Sequence, residues 1–257
     1  MMQAEMALRL FDKSVLKRRK FREVTALLGD PSSWRCLDVG GDNGVISYLL
    51  RGMGGKWSSA DLNPQTVSAI RSLVGDEVYL LNGAVLPFSD ATFDKVAIVD
   101  YLEHIHDDAG LVAELHRAMR PGGTLILNVP HLKRSPLRAF RHLIGQTDAK
   151  HGHVRPGYTP EAIRALLGDR FTVESAHTYS KFFSELIDTL IVFAVTTLKR
   201  GGHTNKGLVV TGSDLQANKS MFRLYSLIYP VVWAVSKLDA LVPASGYMLI
   251  VKAKVNK

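Results

Sequence analysis

From Trp34 onward the chain alternates short apolar runs with longer capped segments, and this alternation restricts the fold more than any other feature. Trp34–Val39 is a strand-length run, followed by a glycine-rich turn over 40–44 and a helical stretch, Val45–Met53. Lys56–Ala60 and Pro64–Val74 repeat the pair. Val78–Leu81 and Lys95–Val99 supply two more strands, and a helix over 107–119 leads through Pro121-Gly122-Gly123 to a fifth, Thr124–Val129. Thr159–Leu167 reads as a helix with Thr159 as N-cap and Pro160 in the first helical position. Phe171–His177 is a sixth strand and Tyr247–Val255 the last. Strands alternating with helices at these lengths predict a doubly wound, mostly parallel α/β sheet covered on both faces.

The flanks differ from this core. Residues 3–28 carry apolar side chains at helical spacing with Lys and Arg between them, and Gly29-Asp30-Pro31 stops the pattern. Residues 180–245 are far too long for a hairpin connection, so they form an insertion with two apolar runs around a polar loop, Lys199–Lys219. The expected organisation is a basic N-terminal helix over 1–30, a core over 31–179, a helical insertion over 180–245 and a final core strand over 246–257.

Charge follows the same division. The 257 residues carry a net +8, divided as +3 over 1–30, −1 over 31–179 and +6 over 180–257. Basic ends around a near-neutral core point to an anionic partner. The single cysteine, Cys36, excludes a disulfide framework and a multi-thiolate zinc site. No signal-peptide pattern and no apolar run of roughly 18–20 residues is present, so a cytoplasmic protein without a spanning helix is expected.

The most informative segment is Leu37-Asp38-Val39-Gly40-Gly41-Asp42-Asn43-Gly44, between a strand and a helix. Glycines there let the backbone turn tightly and approach a ligand. Asp61, 23 positions after Asp38, ends the second strand, where a carboxylate accepts hydrogen bonds from ribose hydroxyls. A pyrophosphate on this turn would be repelled by Asp42, so a dinucleotide is disfavoured and a cationic nucleoside favoured.

With these motifs the chain resembles the class I S-adenosylmethionine-dependent methyltransferases, in spacing their type 11, ubiquinone-biosynthesis-like subgroup. Asp38 to Gly44 is similar to their Asp-x-Gly-x-Gly-x-Gly motif, with Asp42 in place of the middle glycine. Asp61 matches the ribose-binding acid. Asn82-Gly83-Ala84-Val85-Leu86-Pro87-Phe88, continuing to Phe93-Asp94, resembles their third segment, with Asn82 for the adenine-contacting acid. Asp100-Tyr101-Leu102-Glu103-His104-Ile105 and the downstream Met119-Arg120-Pro121-Gly122-Gly123 resemble the next two. The likeness covers about residues 34–178. It implies a Rossmann-like sheet of about seven strands, the last antiparallel, with S-adenosyl-L-methionine as cofactor. It assigns cofactor contacts to Asp38, Gly40, Gly41, Asp42, Gly44, Asp61, Leu62, Asn82, Gly83, Ala84, Asp100 and Tyr101.

Methyl transfer from a sulfonium is an in-line displacement that needs a base only when the nucleophile carries a proton. His104, Glu103 and His131, near the ends of strands four and five, are the candidates. His153, Arg155 and Tyr158, in the loop after strand five, are expected to line the acceptor pocket. The reading is metal-free. Its alternative is a cation held by Asp100, Glu103 and His104, with His151 or His153 completing the shell.

The insertion is expected to choose the acceptor. Tyr225, Tyr229 and Trp233 recur every fourth residue and share a helical face, and Pro230 should kink or interrupt that helix. Lys199, Arg200, Lys206, Lys219, Arg223 and Lys237 surround the apolar runs. Such an element is either a lid or an interfacial membrane anchor. The favoured acceptor is a small molecule or lipid (quinone-like or a lipid-linked sugar) methylated on oxygen, at the inner face of a membrane if the anchor reading holds. The rival readings are a nucleic-acid methyltransferase, suggested by Lys17-Arg18-Arg19-Lys20, and a non-catalytic scaffold, suggested by Asp42 and Asn82. The first is disfavoured because Asp100-Tyr101-Leu102-Glu103 lacks the Pro-Pro-aromatic segment of amino-methylating nucleic-acid enzymes.

Overall fold

The computed structural model describes residues 2–41, 43–198 and 219–257. Seven strands form one sheet in the order β3-β2-β1-β4-β5-β7-β6, where β1 is Arg35–Val39, β2 Lys56–Asp61, β3 Val78–Leu80, β4 Phe93–Val99, β5 Met119–Pro130, β6 Phe171–Tyr179 and β7 Met248–Val255. The first five are mutually parallel, and β7 runs antiparallel to both neighbours, as the last strand was expected to do.

Side-chain alternation explains the two-sided core. Cys36, Ala97, Ile126 and Ile250 point to one face, against Val24 and Leu28 of α2 (Val15–Leu28) and Ile46 and Leu50 of α3 (Val45–Arg51). Their neighbours Leu37, Val96, Leu125 and Val251 point to the other, against α5 (Asp108–Ala118) and α7 (Pro160–Leu167). Strands buried on both faces read as continuous apolar runs, which is why they were visible in the sequence. α4 (Pro64–Val74) packs beside β3 through Val67 and Ile70. The strand order reverses between β1 and β4, and a crevice opens there at the carboxyl ends of the strands.

Local chemistry corrects several expectations. The N-terminal segment is two helices, α1 (Met2–Asp12) and α2, because Ser14 caps the second with its hydroxyl accepting from the Lys17 amide at 3.3 Å. β5 begins at Met119 and runs through Pro121-Gly122-Gly123, which a register shift opposite Phe93–Lys95 absorbs. A helix absent from the sequence reading, α6 (Pro136–Leu143), follows β5 with Ser135 as N-cap. The insertion contributes α8 (Phe182–Leu198) and α9 (Lys219–Lys237), and α9 runs through Pro230 without interruption.

The aromatic stripe of α9 does not turn outward as a unit. Tyr225 donates its hydroxyl to the Lys13 carbonyl at 2.7 Å, and buried Tyr229 accepts from Arg18 at 3.2 Å. Both clamp the α1–α2 joint, and only Trp233 of the three is exposed. Lys199, Arg200 and Lys206 lie outside the described residues. Among the described residues no helix is long and apolar enough to cross a membrane.

Candidate functional site

The β1–α3 turn is built around Asp38. Its buried carboxylate accepts from the Ser47 hydroxyl at 2.5 Å and the Ser59 hydroxyl at 2.7 Å, with Arg51 3.5 Å away. Burial raises its affinity for a proton, and the two hydroxyls and Arg51 oppose this. Asp38 therefore ties the turn to α3 and β2 from beneath. Gly40 has φ +89°, and a Cβ there would lie 2.0 Å from the Val99 carbonyl oxygen. A Cβ on Gly41 would meet Ile70 Cδ1 at 2.6 Å, and Gly44, at φ +84°, caps α3. The glycines are thus required by the close packing of β4, α3 and α4, whatever the ligand. Asp42 lies outside the described residues.

Three strand ends converge above this turn. Buried Asp61 closes β2 and accepts from the Asn63 amide at 2.8 Å. Asp100 closes β4 in the left-handed region at φ +48°, an uncommon conformation for aspartate. Its carboxylate accepts from Asn128 Nδ2 at 2.8 Å and pairs with Lys20 of α2. Tyr101 is buried, and its hydroxyl has no hydrogen-bond partner among the described residues. Burial, then the Asp61 carboxylate, raise its pKa.

A cavity of about 360 Å³ covers these ends. Gly40, Asp61, Leu62, Asp100 and Tyr101 line one part of it. Glu103, His104, His131 and His153 line another. Glu103 and His104 belong to a 3-10 turn, Leu102–His104, directly after Tyr101. His104 Nδ1 lies 3.0 Å from the Gly152 carbonyl, and the His104 and His153 rings meet edge-on at 4.9 Å. His131 Nδ1 lies 2.8 Å from the Gly246 carbonyl. The Glu103 side chain is buried, and its Oε2 has no hydrogen-bond partner among the described residues. Burial, then the Asp100 charge, push its pKa well up. One ligand atom each from Glu103, His104 and His153 fall within 4.8 Å of one another, an arrangement that can hold a cation. Asp100 is not part of that cluster, and the side chain of His151 lies outside the described residues.

Not every expected residue reaches the cavity. Asn82, Gly83 and Ala84 form a turn after β3, closed by an Asn82–Val85 bridge, and none of them lines it. Arg155 pairs with Asp108 and donates to the Ile105 carbonyl at 2.8 Å. Tyr158 donates to Asp108 at 2.8 Å. Burial, then that hydrogen bond, raise its pKa. These two residues fasten the loop to the start of α5, and only His153 of the expected acceptor trio lines the cavity.

The remaining wall escaped the sequence reading. Lys17 and Lys20 of α2, Arg138 and Arg141 of α6, and Glu185 and Asp188 of α8 also line the cavity. Lys133 reaches Glu185 at 2.9 Å across it. The Ser135-Pro136 pair, the same start signal as Thr159-Pro160, could have revealed α6.

The strand-end residues fit a nucleoside sulfonium. Asp61 offers a carboxylate to which hydroxyl groups can donate, and the Tyr101 hydroxyl, without a hydrogen-bond partner among the described residues, offers a further polar contact.

Comparison with known proteins agrees with this arrangement. A family model described as a methyltransferase domain matches residues 37–127. The ubiquinone biosynthesis O-methyltransferase of Xanthomonas campestris pv. campestris (strain B100) is 29% identical over 117 residues, 43% of this chain and 48% of that protein. The demethylmenaquinone methyltransferase of Tropheryma whipplei (strain Twist) is 25% identical over 109 residues, 41% of this chain and 46% of that protein. The chain thus spans about half the length of the curated relatives it matches. Among solved structures, the geranyl diphosphate C-methyltransferase of Streptomyces coelicolor A3(2), in complex with Mg2+, geranyl diphosphate and S-adenosyl-L-homocysteine, superposes with a TM-score of 0.59 at 12% identity, covering 94% of this chain and 78% of that one. An S-adenosylmethionine-dependent methyltransferase from Mesorhizobium loti gives 0.56 at 17% identity, covering 92% and 96%. At these identities the structures speak to the fold.

Proposed function

We propose that the chain is a class I S-adenosylmethionine-dependent methyltransferase and that it methylates an oxygen of a small, lipid-like acceptor. Bound S-adenosylmethionine supplies an electrophilic methyl group. Asp61 would orient the ribose and offset the cofactor's positive charge, and the Gly40 backbone would border it.

His104 carries the acid–base reading. A ring nitrogen facing a carbonyl must bear a proton, so contact with Gly152 makes Nδ1 the donor and Nε2 the basic nitrogen. His104 is placed to take the proton of the acceptor hydroxyl at Nε2; the bound cofactor would supply the methyl group, its sulfur–carbon bond breaking to leave a neutral thioether. The Gly152 carbonyl then steadies the imidazolium. His131 is held in the same tautomer by Gly246 on the β5 side. Lys17, Lys133 and Arg141 line the acceptor wall together with Glu185 and Asp188, and Lys133 is paired with Glu185, so the wall is mixed in charge.

An acceptor of quinone-like, partly apolar character is supported by the names of the relatives and by the insertion. α9 leaves Leu227 and Val231 77% and 64% exposed, as a segment meeting a membrane surface would. The test is transfer from methyl-labelled cofactor to lipid and small-molecule extracts, with products separated and identified. Label on a phenolic or hydroxyl oxygen supports the reading; label only on carbon, nitrogen or nucleic acid overturns it.

The Glu103–His104–His153 cluster favours a second reading, in which a divalent cation holds the acceptor oxygen. One carboxylate and two imidazoles suit zinc, manganese or iron. Loss of turnover on chelation, restored by one of these ions, selects it; chelator-insensitive turnover removes it.

A further inference from the structure

The basic run Lys17-Arg18-Arg19-Lys20 does not act as one patch. Helical geometry divides it: Lys17 and Lys20 line the strand-end cavity, whereas Arg18 and Arg19, joined by Arg22, line a second cavity of about 420 Å³. Its other wall comes from the β6–α8 junction and from α9, which add Lys181 and Lys237. Among the described lining residues these five cations face one carboxylate, Asp239. That carboxylate is already engaged with the start of α8, accepting from the Lys181 amide at 2.7 Å and the Phe183 amide at 2.8 Å. Arg19 is paired with Glu23 at 2.6 Å, and Arg18 donates to the Tyr229 hydroxyl. Arg22 is exposed and forms no ion pair among the described residues. Ser180, held at φ +53°, also lines the cavity, and its buried hydroxyl has no hydrogen-bond partner among the described residues. A cationic cavity with an unpartnered buried hydroxyl is the chemistry that receives phosphate oxygens.

Exposed apolar side chains accompany it. Tyr229 and Trp233 line the cavity, while Leu227, Ile228 and Val231 of the same helix are exposed. The 3-10 turn that follows, Leu238–Leu241, exposes Leu238 and Leu241. A free phosphate has no use for these residues, and a nucleic acid would offer them no acyl chain.

We propose that the second cavity binds the phosphate headgroup of an anionic phospholipid and so seats α9 on the bilayer, an inference that rests on the reading that α9 meets a membrane.

The experiment is flotation of the full chain with phosphatidylcholine vesicles, with and without phosphatidylglycerol. The wild type should partition preferentially onto the anionic vesicles. The R22Q/K237Q variant should bind them about thirtyfold more weakly, at roughly fivefold per basic side chain near the surface. The L227S/V231S variant should bind both vesicle types more weakly while keeping its preference for the anionic one. Wild-type binding to neither vesicle overturns the membrane reading, and the site with it. Wild-type-like binding by R22Q/K237Q overturns the headgroup site and leaves the membrane reading standing. Glycerol 3-phosphate in free solution binding this cavity as tightly as vesicles do, or RNA displacing the vesicles through Arg22 and Lys237, overturns the lipid as the ligand.

Discussion

The Nδ1 atom of His104 lies 3.0 Å from the carbonyl oxygen of Gly152, 48 residues further along the chain. This contact, together with the Val154 amide donating to the Glu103 carbonyl at 2.8 Å, fixes the loop after α6 to the turn after β4. It sets the ring's tautomer before any acceptor arrives. His104→Gln should therefore lower kcat by about 10²- to 10⁴-fold, the usual worth of a positioned base. Cofactor affinity, read by calorimetry, should stay at the wild-type value. A variant with unchanged kcat would exclude His104 as the base.

Asp61 makes a separable contribution. Its carboxylate is buried at the end of β2, and Asn63, whose amide it accepts, is the N-cap of α4. Hydrogen bonds to a charged acceptor contribute about 1.5–3 kcal/mol, so Asp61→Ala should weaken cofactor binding by roughly ten- to a hundredfold. Titration calorimetry with S-adenosylmethionine measures this directly. Equal affinities for wild type and variant would show that the ribose is held elsewhere.

The sheet was legible in the sequence, as was the placing of Gly40, Asp61, Leu62, Asp100 and Tyr101 along one wall of the cavity, because these signals are local. Strands buried on both faces are short apolar runs, and Asn63-Pro64 and Thr159-Pro160 announce helix starts within a few residues. The acceptor wall was not legible. Lys17, Lys133, Arg141 and Asp188 come from four separate segments, and only the packing of α2, α6 and α8 brings them to one cavity. Arg155 and Tyr158 show the converse. A polar loop at the active edge looks functional in sequence, yet both side chains close onto Asp108. Tyr225, Tyr229 and Trp233 make the same point: periodicity reports a shared face and leaves open whether it meets a membrane or the core.

The anchoring role assigned to Asp38 predicts a stability effect distinct from any effect on binding. Its carboxylate joins Ser47, Ser59 and Arg51 in a buried network. Asp38→Ala leaves those donors without their acceptor and should cost roughly 3–5 kcal/mol, the range for breaking a buried ionic pair from one side. Denaturant melts compare the two proteins. Asp38→Asn, which keeps the volume and one acceptor oxygen, should lose less. A melt of Asp38→Ala matching the wild type would mean that the turn is held by backbone packing alone.

Cys36 gives a prediction on pH. It lies in β1 between Trp57 of β2 and Lys95 of β4, fully buried beneath α2 and α3. Burial pushes its thiol from the ordinary 9.0 up to about 12, the nearby Lys95 charge opposing. At pH 8 the folded protein then holds on the order of one thiolate per ten thousand molecules, and the thiolate is the form that alkylates. Iodoacetamide should leave the native chain unlabelled and modify Cys36 once denaturant is added, as mass spectrometry would show. The same shift has a sign in stability. Below about pH 9 the thiol is neutral in both states and contributes no pH dependence. Between about 9 and 12 the unfolded chain ionises first, so the folded state loses stability as pH rises. Cys36→Ala removes that part of the alkaline slope. Rapid labelling of the native protein at pH 8, or identical slopes for the two proteins, would show that Cys36 is reachable from water.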